Sequence, residues 1–331
     1  MTLVRMPVRH RLLALLVAVL WGGNFIAIHA SLEQFPPFLT VALRWLPLAV
    51  AAVLFVPRPD VAWRWVVLYG LGFGILQFAF LYWGMASGMP AGLASLVLQS
   101  SAPFTVALGA LLGEHLSGRR ALGVVVAVAG LAVVGSQRGT LSAAWPFVLT
   151  VLGGLGWAVG NLAVRRARST QPFRLTMWMS VVAPVPMLAL SLLVEGPGRI
   201  GDSLASVGTP VGALAVGGLL YTSVVATVVG TGIWSWLMGR HPAGTVAPFS
   251  MLVPVTGLTA AWLLLGERPT AVEWLGCAVV VAGVLVTAGG GGGATGARAE
   301  PGQSRGKAPV TSSSRSLASD SAIVTRTPSV P

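Results

Sequence analysis

Polar side chains inside long apolar runs are costly in hydrocarbon, so those present mark a cavity or a helix contact. In this chain they recur in a pattern. Trp21 and Asn24 share one apolar run, and Trp157 and Asn161 share another. Spacings of three and four residues put each pair on one helix face. An indole offers apolar area and one donor, while an amide both donates and accepts. Such a pair suits a small zwitterion; its alternative use is as interhelical glue.

Other runs add to the set. One contributes Gln77 and Tyr82. Gln99-Ser100-Ser101 precedes Pro103, and Ser250 precedes Pro254. Proline has no N–H to give the turn before it, so a carbonyl near Gln99 or Ser250 is freed for a ligand or a neighbouring hydroxyl. Thr227, Thr231 and Trp234 follow one face, where threonine can also bond back to its own helix. Arg44 is the one strong charge inside a run, about 9 Å below its outer end at helical rise. It either draws a carboxylate into the cavity, or snorkels outward or pairs with Glu33.

Enzyme chemistry finds no footing. His10, His29, His115 and His241 form no HExxH pattern, and no run interior holds Asp or Glu, so catalytic residues, metal ligands and cofactors are not expected. Cys277 is the single cysteine, which excludes an intrachain disulfide. His29 reads as an interfacial hydrogen-bonding residue.

The elements that must position these residues are membrane helices. Hydrophobic residues make up 55% of the chain and charged ones 9%, against about a quarter charged in soluble domains; mean hydropathy is +0.81. Apolar segments fall near 12–30, 38–56, 65–86, 91–112, 121–135, 145–164, 175–194, 211–237, 243–265 and 271–288. Breakers such as Pro36-Pro37, Gly88-Met89-Pro90 and His241-Pro242 separate them. The expected fold is an all-α membrane protein of ten transmembrane helices. Residues 1–30 have the arginines and apolar run of a signal peptide but no small-x-small site, and are read as the first span. Beyond 288 a glycine run gives way to Ser, Thr, Pro and Arg, so 289–331 reads as a disordered tail.

The chain also repeats itself. Leu111-Leu-Gly-Glu114 returns as Leu264-Leu-Gly-Glu267, each followed by Leu-Gly and Val-Ala-Gly at the same spacing. Pro90-Ala-Gly92 returns as Pro242-Ala-Gly244, and Tyr69 and Tyr221 open related helices. Five spans separate the copies, so they cross in opposite directions: two inverted five-helix repeats, 12–135 and 145–288. Such symmetry suits a carrier whose two gates are copies. Glu114 and Glu267 read as gate-bracing carboxylates that favour the dipole of the following helix, with Pro103 and Pro254 as gate prolines. Glycine pairs such as Gly70/Gly74 and Gly153/Gly156 suggest close helix contacts. Arginines crowd one set of loops, and only Arg138, Arg199 and Arg268 lie on the other. That bias puts both termini, 1–11 and 289–331, in the cytoplasm. The net charge of +12 is thus topogenic and does not point to nucleic acid, and the arginine-rich composition hints at a bacterial plasma membrane.

The segments "LWGGNF" (20–25), "PPFLTVALRW" (36–45), "MPAGLASLVLQSSAPFT" (89–105), "GWAVGN" (156–161), "TGIWSWLMGR" (231–240) and "VAPFSMLVPVTGL" (246–258), with the "LLGE" endings, resemble a known family. It is the EamA-type branch of the drug/metabolite transporter superfamily, most closely its O-acetylserine/cysteine exporter-like members. The resemblance spans 11–288; Pro103 departs from the pattern, standing where an aromatic run is commoner. It implies an alternating-access exporter of small amino-acid metabolites, or else an importer or broad drug/metabolite efflux permease of the same fold. The implied partners are a small-molecule solute and membrane lipid. The residues leave a coupling ion and the oligomeric state open.

Overall fold

A computed structural model describes residues 6–137 and 140–288, without the side chains of 141–143, 243–244 and 287–288. The tail at 289–331 and Arg138 lie outside the described residues. Every regular element among the described residues is helical. In chain order these are α1 (Val8–Leu32), α2 (Pro37–Phe55), α3 (Trp63–Ala86), α4 (Ala91–Leu111), α5 (Gly118–Ser136), α6 (Leu141–Ala167) and α7 (Pro172–Val194). After them come α8 (Pro197–Ala205), α9 (Pro210–Met238), α10 (Ala247–Leu265, entered through a turn at Ala243–Val246) and α11 (Ala271–Ala288).

Among the described residues nine helices are long and apolar enough to cross a membrane. The expected tenth, α11, carries a shorter apolar stretch, Ala271–Val286. The short α8 is an addition that the apolar runs did not announce. Prolines open α2, α7, α8 and α9, since a residue at the first helical position needs no N–H. Both repeated Leu-Leu-Gly phrases end a helix through a left-handed glycine, Gly113 at φ 85 and Gly266 at φ 68. Only glycine adopts that backbone without a steric cost.

Several helices depart from regular α geometry. Just before Pro103, α4 tightens into a 3₁₀ turn at Leu98–Ser100, and α10 begins as a 3₁₀ stretch, Ala247–Leu252, ahead of Pro254. These are the places where proline removes a main-chain donor. α7 is broken at 180–183, before Pro184, rather than running as one span. α3 and α9 each contain a π-helical stretch, Gly70–Gln77 and Tyr221–Gly230. The first begins immediately after Tyr69 and the second at Tyr221, the residues that match between the halves.

Two groups of helices emerge from the packing. α1 lies against α9 and α10; α6 lies against α3 and α4. Small residues set the second group's spacing: a β-carbon on Gly156 would come 2.6 Å from the Gln77 backbone nitrogen, and one on Gly72 would come 2.6 Å from that of Gly160. The groups meet where Ala91–Val97 of α4 packs on Val253–Leu265 of α10, with α1 and the end of α3 alongside. There Gly92 lies against Leu258 and Ala261, and Gly257 against Ser95. The other halves, Ser101–Leu111 and Ala247–Leu252, share no comparable packing. α5 and α11 pack along each other. Leu122, Val125, Leu193, Leu214 and Leu263 are among the apolar side chains left exposed, as a lipid-facing surface requires.

Candidate functional site

Arg44 is the chemical centre of the described bundle. It sits in the second turn of α2, and its residue is 3% exposed. Nη1 donates to Tyr82 Oη of α3 at 3.1 Å, and Nη2 donates to Thr227 Oγ1 of α9 at 3.2 Å. The guanidinium carbon lies 3.9 Å from the Phe78 ring centre and 5.0 Å from that of Trp45. An aromatic face stabilises a desolvated cation by about 2 kcal/mol. That offsets part of the 2.5–3.5 kcal/mol or so that a central arginine costs on insertion scales. No carboxylate among the described residues pairs with it, and its Nε is buried without a partner. The outward snorkel and the Glu33 pair are therefore both overturned. Glu33 faces His29 at 3.7 Å instead. The arginine points into the bundle toward Tyr82 and Thr227, where neutral oxygens satisfy two of its N–H groups.

The neighbours of Arg44 brace one another. Ser223 Oγ donates to the Arg44 carbonyl at 2.8 Å, and Thr227 Oγ1 donates to Thr222 O at 2.8 Å. The threonine thus bonds back to its own helix and still accepts from the cation. Trp45 Nε1 donates to Gly74 O at 3.0 Å, in the middle of the wide turns of α3. Since Tyr82 belongs to the α3–α4–α6 group and Thr227 to the α1–α9–α10 group, Arg44 links the two.

The other expected residues divide between the same groups. Trp21 Nε1 donates to Ala226 O at 3.0 Å, and its ring lies 5.2 Å from that of Trp234. Asn24 is buried and its Oδ1 has no partner. Across the bundle Asn161 Nδ2 donates to Thr105 Oγ1 at 3.2 Å, and Trp157 packs edge-on against Phe73. Gln77 is buried with Oε1 unpartnered, as is Ser100 Oγ. Gln99 Nε2 approaches Met251 Sδ at 3.9 Å, and Ser250 Oγ donates to Ala247 O within its own turn. Thr105, Trp157, Asn161, Thr231, Trp234 and Ser250 are half-buried, on the halves of the two groups that stand apart. Two clefts, of about 590 and 500 Å³, lie elsewhere, around Glu33, Arg199 and Asp202 and around His10 and Trp236. They contain none of the expected residues.

The two repeated carboxylates depart from the expectation. Each is followed by a helix with its own cap. Ser117 serves α5, while Thr270 and Glu273 bond to each other's backbone N–H at the start of α11. Glu267 instead accepts from the backbone N–H of Ala91 at 2.7 Å and of Gly92 at 3.0 Å, the first turn of α4. Glu114 is held by Arg165 at 3.0 Å.

Sequence reading missed Phe78, Thr105, Arg165, Ser223 and above all Glu195. Glu195 is buried at the end of α7 and accepts from the N–H groups of Phe38 at 2.7 Å and Leu39 at 3.1 Å, the first turn of α2. Its local signal is a carboxylate at a span end; its partners in α2, 156 and 157 residues away, leave no mark beside it. At the other end of the same pair, Trp178 Nε1 of α7 donates to Val56 O at 3.0 Å and Pro57 O at 3.1 Å.

Comparison with known proteins bears on what this frame does. The EamA-like transporter family matches residues 10–136 and 144–289. A protein of Escherichia coli strain K12, described as a probable amino-acid metabolite efflux pump, is 40% identical over 281 residues, covering 83% of this chain and 93% of the relative. Its counterpart in Salmonella typhimurium, described in the same words, is also 40% identical over 281 residues, with the same coverage. One solved crystal structure aligns with a TM-score of 0.54 at 20% identity, over 84% of this chain and 95% of that one, a likeness of fold alone.

Proposed function

Because the chain belongs to the EamA-like transporter family, we propose that it exports small amino-acid metabolites of the cysteine or O-acetylserine kind by alternating access. Arg44 receives the substrate carboxylate. One observation carries this reading: a buried arginine with no carboxylate partner among the described residues and an unfilled Nε donor. A buried cation without a counter-charge is costly, and the carboxylate of a bound solute supplies the missing charge.

In this reading 12–135 and 145–288 are inverted five-helix repeats that rock against each other. Both termini lie in the cytoplasm of a bacterial cell, with the chain in the plasma membrane. The paired phrases, the matching π stretches and the one-sided arginines support it. The α4–α10 contact then closes the outer side, and the separated halves admit solute from the cytoplasm. Trp21, Asn24, Trp157, Asn161, Thr231, Trp234 and Ser250 line the way in, while Gln77, Tyr82, Gln99 and Thr227 stand deeper. Proline at 103 and 254 lets α4 and α10 bend. The relatives' description as efflux pumps favours export over uptake.

The test is efflux from inverted and right-side-out vesicles with labelled cysteine, O-acetylserine and unrelated solutes. Directional movement of the amino-acid metabolites, lost in Arg44→Gln at equal abundance, is expected. Movement only of uncharged or cationic solutes, or equal transport by Arg44→Gln, would overturn the carboxylate assignment. Net uptake would make the chain an importer.

A further inference from the structure

Glu114 and Glu267 end identical phrases of the sequence, yet they are engaged differently. Glu267 holds the N–H groups of Ala91 and Gly92 with both oxygens. Its grip lies where α4 and α10 are packed together. Glu114 lies beyond the separated ends of α4 and is partly exposed, its one side-chain bond going to Arg165. The seat that Glu267 occupies is Pro90-Ala91-Gly92, and the same three residues, Pro242-Ala243-Gly244, lead into α10. Each half of the chain therefore owns one carboxylate and one Pro-Ala-Gly turn, and the carboxylate of the second half grips the turn of the first.

The seat has specific requirements. Proline has no N–H, so the next two amides are the first donors of the helix, unsatisfied within it and aligned with its positive end. A carboxylate that takes both makes charge-assisted bonds. Glycine suits the second place because a β-carbon on Gly92 would crowd Glu267 Oε2 at 3.1 Å and Leu258 Cα at 3.2 Å. The copy at 242–244 keeps both features. The Arg165 bond that occupies Glu114 meanwhile joins two partly exposed side chains, a kind of pair that contributes little and is readily exchanged.

We propose that Glu267 and Glu114 are alternating latches, an inference that rests on the alternating-access reading. Glu267 on Ala91 and Gly92 shuts one end of the α4–α10 pair. When that end opens, Glu114 leaves Arg165 and takes the first amides of the Ala243 turn, shutting the other end. The two carboxylates are positioning residues for the transport cycle, each stabilising one of its two end states.

The test uses the full chain in membrane vesicles, with Cys277→Ala to remove the native thiol. Single cysteines are introduced by Ser95→Cys at the packed end or Ser250→Cys at the separated end, and maleimide labelling rates are read. Glu267→Gln should raise labelling at 95 by roughly fivefold, the scale of a lost helix cap, and lower it at 250. Glu114→Gln should do the reverse. Arg165→Gln, which releases Glu114, should act in the same direction as Glu267→Gln, a result that mere bracing of the fold does not produce. If wild type labels at both positions and responds to solute, but the two glutamate variants shift labelling alike or not at all, the latch proposal is overturned. If wild type labels at one end only under every condition, alternating access itself is wrong.

Discussion

Arg44 of α2 and Thr227 of α9 are joined inside the bundle by a hydrogen bond of 3.2 Å, and Tyr82 of α3 accepts from the same guanidinium at 3.1 Å. The fork of a guanidinium lets one side chain hold two helices and still present a third N–H. Lysine offers a point charge without that geometry. Arg44→Lys should therefore keep membrane abundance close to wild type while cutting metabolite efflux by about tenfold or more. Efflux at matched expression checks this, and undiminished transport by the lysine variant would remove the fork from the mechanism.

Thr227→Val is the complementary change. It keeps the side-chain shape but leaves a buried N–H of Arg44 without an acceptor, at a cost of about 1–3 kcal/mol. A lower melting temperature in detergent is expected, together with weaker transport. An unchanged melting temperature would mean that the arginine finds another acceptor.

Asn24 and Asn161 should be separable from the fold. Asn24 Oδ1 is unpartnered, and Asn161 gives a single bond to Thr105. Asn24→Leu and Asn161→Leu should each reduce efflux to background with near-normal abundance in the membrane. Wild-type efflux in either variant would assign that amide to packing.

Glu195 belongs to a different kind of joint. α2 and α7 are fastened at both ends, by Glu195 on Phe38 and Leu39 and by Trp178 on Val56 and Pro57. Glu195→Ala strands two buried N–H groups and should lower stability by about 2 kcal/mol or more. The labelling balance between positions 95 and 250 should stay unaltered if α2 and α7 move as one body. A shift in that balance would place Glu195 among the moving parts.

Gly156→Val probes the α3–α6 seam. Its β-carbon would lie 2.6 Å from a backbone nitrogen and 2.8 Å from Leu76 Cβ, and backbone cannot step aside as a flexible side chain can. Loss of folded protein from the membrane is expected, measured as abundance after detergent extraction. Normal abundance would show that the seam can widen.

Much of this frame is legible in the sequence. The apolar runs, the breakers between them and the prolines that follow the two 3₁₀ turns all leave local marks in the sequence. Partners across the bundle leave none. Arg44, Tyr82 and Thr227 were each singled out, but helical rise gives the depth of Arg44 and not the direction in which it points. Glu267 was assigned to the helix after it, although Thr270-Ala-Val-Glu273 spells a capping box that already serves that end. Glu195 was passed over because its partners are in α2, far away along the chain. The π stretches of α3 and α9 carry no compositional signature at all, since a bond five residues back uses the same groups as one four back.

Those wide turns have a mechanical consequence. A π stretch accommodates a surplus residue relative to an ordinary helix, so in α9 Thr231 and Trp234 face a direction other than the one an unbroken α-helix would give them. The surplus residue is slack in the coil. Drawing it in would swivel Trp234 away from Trp21 like a key in a lock, with the main-chain donors of the stretch finding new acceptors one carbonyl closer.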